Sequence, residues 1–159
     1  MENILINNLD FPVITVTTFL PLAGALLILF IRNEVWIKWL ALATTVATFI
    51  FSIPIYTHFD KATYKMQFVE IHQWIPAWNI NYKVGVDGIS VLFIILVTIL
   101  NILCVLVSWK AIQSKTKAFF VSLLVMETAM MGVFVSLNIF LFYLFWELTL
   151  IPMFLLIGV

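Results

Sequence analysis

Residues 89–109 read ISVLFIILVTILNILCVLVSW, an unbroken run without one charged side chain. A helix needs about 20 such residues, at 1.5 Å each, to cross the hydrocarbon core of a bilayer. Working outward, four more segments have the same length and character: residues 11–31 and 35–56 before it, and 118–137 and 139–159 after it. Composition agrees, with 64% hydrophobic and only 10% charged residues, against about 25% charged in an ordinary soluble domain. A soluble core of this size could not enclose so much apolar surface. The expected fold is all-α: a polytopic membrane protein of about five transmembrane helices, forming a single membrane domain over 1–159 with the lipid bilayer as its solvent.

The formal net charge is zero and the eight basic residues are scattered, so nothing favours nucleic acid as a partner. Cys104 stands alone within an apolar run, which predicts a small buried hydrophobe rather than a metal ligand or half of a disulfide. The N-terminus carries Glu2 and Asp10 in place of a basic leader, and the first apolar segment is expected to be retained. Arg32 and Lys38 flank the first short loop, beside Glu34, and Lys110, Lys115 and Lys117 flank the loop between segments three and four. These five cations lie on one side of the membrane if all segments span, and the positive-inside rule makes that side cytoplasmic. The N-terminus and the long loop 58–88 then lie outside. Alternation through Ile80, Tyr82 and Val84 predicts a short extended stretch or hairpin on the membrane surface, with Trp74 and Trp78 suited to the headgroup layer. Asp87 is positioned to cap the third helix, Gly85 and Gly88 relaxing the turn that leads into it. Thr44, Thr48 and Ser52 recur every four residues, a small hydroxyl stripe that predicts close helix packing rather than an ion path. Pro21 and Gly24 predict a bend and a close contact in the first helix.

Two charges remain inside the spans, and both are glutamates. Glu127 lies in Met126-Glu127-Thr128 of segment four, and Glu147 in Phe145-Trp146-Glu147-Leu148-Thr149 of segment five. An acidic residue at the centre of a spanning helix costs about 3 kcal/mol even on lenient scales. Such residues usually face a bundle interior or a hydrated cavity and take part in proton relays. Only a short turn around Ser136-Leu137-Asn138 separates the two helices, which are therefore expected to be antiparallel. Counting back from that turn sets Glu127 roughly 15 Å deep and Glu147 roughly 13 Å deep, similar levels, although whether they face each other is left open. Burial penalises the charge while a nearby cation favours it, and a carboxyl pushed both ways can load and release a proton near neutral pH. Pro152 has no N–H to offer the carbonyl of Leu148, and a freed carbonyl beside a buried acid suits a hydrated cavity. The competing reading for each glutamate is a protonated side chain bonding helices together.

Other chemistry has no foothold. His58 and His72 both fall in or near the outer loop, so no helix-borne pair could ligate haem. No Gly-rich phosphate loop and no cysteine ladder for iron–sulfur clusters occurs.

The stretch Phe142-Tyr143-Leu144-Phe145-Trp146-Glu147-Leu148-Thr149-Leu150-Ile151-Pro152-Met153 resembles the fifth-helix motif of the chain M (subunit 4) family of proton-translocating NADH:quinone oxidoreductase, the respiratory complex I. Gly85-Val86-Asp87-Gly88-Ile89-Ser90 is similar to that family's lead-in to helix three, and Ser108-Trp109-Lys110 to the end of that helix. The resemblance implies the N-terminal part of an antiporter-like bundle, in which Glu147 is an essential proton-path carboxylate coupled to a lysine on a later helix. It carries no established role onto Glu127, which stays a candidate relay from its position alone. It implies that NADH, FMN, iron–sulfur clusters and quinone act elsewhere in the complex and that this chain binds no cofactor. The implied partners are protons and other membrane-arm subunits. Family members have about fourteen spans, so the chain is expected to be a C-terminally truncated piece, inactive in isolation. Bacterial-looking motifs favour the bacterial plasma membrane over the mitochondrial inner membrane. The alternatives are a subunit of a multi-subunit sodium/proton antiporter, a structural or assembly module without transport, and a small oligomeric channel. NADH-dependence of transport separates the first, and tolerance of Glu147→Gln the second. Ion conduction by purified fragments would mark the third.

Overall fold

The computed structural model describes residues 4–6, 11–78 and 80–158; Glu2, Asp10, Asn79, Val159 and the Trp78 side chain lie outside the described residues. Five helices are long and apolar enough to cross a membrane: α1 (Val13–Phe30), α2 (Glu34–Thr57), α3 (Gly88–Ala111), α4 (Thr116–Val135) and α5 (Ile139–Gly158). Their bounds fall within three residues of the sequence expectation. The chain is a polytopic, predominantly α-helical integral membrane protein.

One addition lies at the end of the bundle where α1 begins. Strands β1 (Ile4–Ile6), β2 (Met66–Ile75) and β3 (Ile80–Val86) form one sheet in that order, β1 parallel and β2–β3 antiparallel. The expected hairpin is therefore present, but it is a packed lid rather than a surface ribbon. Phe68, Val84 and Val86 are fully buried against Val13, Ile14, Ile55, Val91 and Met131 from the helix ends. The turn between α4 and α5 joins the edge of β3, with Leu137 N donating to Lys83 O at 3.0 Å. Gly85 is explained by that junction and not by turn freedom, because a Cβ there would sit 2.7 Å from Leu137 Cδ1 and its φ is not positive.

The sheet also secures α1. The N-cap of that helix is Pro12, which has no side-chain acceptor. Glu70, buried on β2, supplies one from 55 residues away: Ile14 N donates to its Oε1 at 2.9 Å and Thr15 N to its Oε2 at 3.3 Å, and the Thr15 hydroxyl donates as well. These are the N–H groups an ordinary N-cap would satisfy. Tyr82 of β3 bonds the same Thr15 hydroxyl at 2.9 Å. Its own hydroxyl is pushed above the usual phenol range, chiefly by burial and further by the Glu70 charge, although the Thr15 bond works the other way. Three other helices are capped locally, by Asn33 for α2, Asp87 for α3 and Asn138 for α5. The expected Asp87 cap is made at 2.7 Å to Ser90 N.

At the opposite end the lysines meet helix C-termini, where unpaired carbonyls accumulate. Lys38 Nζ donates to Trp109 O at 2.7 Å and Lys117 Nζ to Leu29 O at 2.9 Å. Gly24 of α1 lets α2 close in, since a Cβ there would be 2.4 Å from Thr44 Cγ2. Thr44, Thr48 and Ser52 are buried and return their hydroxyl protons to their own helix carbonyls, so the stripe serves close packing. Cys104 departs from expectation: it is exposed. With Leu100, Leu103 and Val107 it lies on the outer stripe of α3, and a helix apolar on all sides gives no sequence cue to which stripe that is.

Candidate functional site

The interior of the bundle is layered. One apolar cluster fills the sheet end, drawing Val13 and Ile14 from α1, Ile55 from α2, Val91, Ile94 and Val97 from α3, and Met131 and Val135 from α4. A second fills the other end, with Ala25 and Ile28, Ile37 and Ala41, Val105, and Phe120, Leu123 and Leu124 from the same four helices in turn. Between the clusters each of these four helices turns polar while staying buried. Helix α1 offers Thr17 and Thr18, α2 offers Thr45 and Thr48, α3 offers Thr98 and Asn101, and α4 offers Glu127 and Thr128.

Glu127 is the one charged-type residue of this belt and has no exposed surface. Among the described residues neither carboxyl oxygen has a hydrogen-bond partner, and the hydroxyls of Thr18 and Thr128 are likewise buried and unpartnered. Most other belt groups spend their protons on their own helix: Thr17 on Val13 O, Thr48 on Thr44 O, Thr98 on Ile95 O and Asn101 on Val97 O. A bare carboxylate in such a place costs several kcal/mol. The arrangement therefore favours a carboxyl that carries its proton, or one hydrated by water, over a permanently charged group.

Glu147 is placed differently. It lies on the exposed face of α5, with Tyr143, also exposed, one turn earlier on the same side of the helix. Phe145, two residues away and so about 200° around the helix, is buried against α4, where a Cβ on Gly132 would come within 2.2 Å of its ring. Glu147 thus projects away from α4. The expected equality of depth holds: Glu127 is eight residues before the end of α4 and Glu147 eight after the start of α5, each about 12 Å from the turn. The structure does not bring the two carboxylates together. Pro152 is buried inside a helix that continues through it. His58 and His72 are both exposed, the second stacked on Tyr82. Among the described residues, no three of His, Cys, Asp and Glu gather where they could hold a metal ion.

The belt as a layer escaped the sequence reading, which saw the hydroxyl stripe of α2 alone. The available signal was a pair of polar residues within each of the first four spans: Thr17 and Thr18, Thr45 and Thr48, Thr98 and Asn101, and Glu127 and Thr128. Glu70 was also passed over, as one loop charge among several.

Five membrane-length helices, two of them with an acid at mid-depth, define a polytopic membrane protein. No protein-family model matches the chain. It is a homologue of NADH-quinone oxidoreductase subunit M, also named chain 4. It is 43% identical over 155 residues to subunit M of Rhodobacter capsulatus, covering 92% of this chain and 29% of that protein. It is 42% identical over 141 residues to NADH-ubiquinone oxidoreductase chain 4 of Arabidopsis thaliana, covering 87% of this chain and 28% of that one. Against subunit M of Rickettsia typhi it is 36% identical over 159 residues, 95% of this chain and 32% of the other. The chain thus spans about three tenths of the length of these relatives.

Proposed function

We propose that these five helices are part of a proton-translocating membrane subunit of an NADH:quinone oxidoreductase, in a bacterial plasma membrane or mitochondrial inner membrane. Energy released elsewhere in the complex, as electrons pass from NADH to quinone, drives protons through a bundle of which this is one portion. The electron-carrying groups are assigned to other subunits, and other membrane-arm subunits are the partners.

The observation that carries this reading is the pair of carboxyl groups held at one depth, about 12 Å inside neighbouring helices, in a chain whose relatives bear that name. Glu147 is the proton-path carboxylate. A carboxylate at that depth is too costly to face lipid, so its side of α5 calls for a polar partner from further protein. Glu127 is a second group that can hold a proton, screened from both membrane faces by the two apolar clusters. Protonation and release there would need the belt to admit water, which the hydroxyls of Thr18 and Thr128 are free to bind.

The test is NADH-driven acidification of membrane vesicles carrying the full-length subunit with Glu147→Gln. Assembly is checked by electron transfer to an artificial acceptor. Pumping is expected to fall at least tenfold while that electron transfer persists. Undiminished pumping would show that Glu147 only bonds helices, and the proton-path role would be abandoned.

A further inference from the structure

We draw no further inference here: the strongest candidate, the apolar groove of about 420 Å³ at the sheet end between α1, α5 and the β2–β3 hairpin, lined by Phe19, His72, Tyr82, Leu144, Phe145 and Leu148, carries none, because nothing in the structure shows what covers it.

Discussion

Glu127 concentrates the tension between folding and function in a single side chain. Both of its oxygens are buried without partners, and an unsatisfied buried polar group costs about 1–3 kcal/mol. Glu127→Leu removes that cost at similar volume. Thermal unfolding in detergent should therefore show the variant more stable by about 1–3 kcal/mol. A loss of stability would mean that the carboxyl is satisfied by water and acts as structural glue. Depth was legible in the sequence for both glutamates, because it follows from counting residues back from one short turn. Facing was not, since α4 and α5 are apolar on every side and offer no polar stripe to orient them. Asp87 was the most legible residue of all, its capping role following from an acid followed by Gly-Ile-Ser at the head of an apolar run. The Ser90 N–H bond holds its carboxyl below the usual aspartate range, against an opposing effect of partial burial. A folded-state value below the unfolded one means that the cap contributes fully above about pH 4. That contribution is lost as pH falls through the folded value. Acid titration of unfolding should show Asp87→Ala already lacking this contribution at neutral pH, and the wild type converging on it only in strong acid.

Helices and strands differ in how plainly the sequence marks them, for physical reasons. The five helices declared themselves because a span must be both long and apolar, a requirement that few other structures meet. Strand β2 did not, because its burial does not alternate. Gln67, Phe68, Val69 and Glu70 are all buried in succession, around a register shift between Gln67 and Glu70. Phe68 sits there at φ 52, in the left-handed region that a bulky side chain rarely adopts. The irregularity delivers Phe68 to the core and Glu70 to the start of α1, so the feature that hid the strand is the one that makes it useful. Contacts between helices were legible where small residues mark them. Gly24 against Thr44 was anticipated in kind, while Gly132 was not singled out. An added Cβ at Gly132 would fall 2.2 to 2.5 Å from the rigid ring of Phe145. Gly132→Ala should cost about 1–3 kcal/mol through overpacking, with partial recovery in the double variant that also carries Phe145→Leu. Unfolding of the two variants by denaturant measures both effects, and an unchanged midpoint for Gly132→Ala would show that α5 can move away freely.

At the scale of the whole molecule the two ends of the bundle are chemically unlike. The sheet, the N-terminal strand and the turn between α4 and α5 share one end, sealed by β3 and its bonds to residues 137 and 138. The loops holding Arg32 and Lys115 share the other. An odd number of spans between the N-terminal strand and the far end of α5 fits this division only if each helix crosses once, and the positive-inside rule predicts that the five basic residues at the second end face the cytoplasm. Single cysteines introduced into a Cys104→Ser background test this topology, the native thiol being exposed on α3. Ala62 and Ser114 are both exposed and lie in loops at opposite ends. In intact bacterial cells, Ala62→Cys should react with a membrane-impermeant maleimide, and Ser114→Cys should react only after permeabilisation. Reaction of both from the same side would break the single-crossing topology. The reverse pattern would preserve the fold but invert it, moving the sheet to the cytoplasm and the five basic residues outside, against the positive-inside rule.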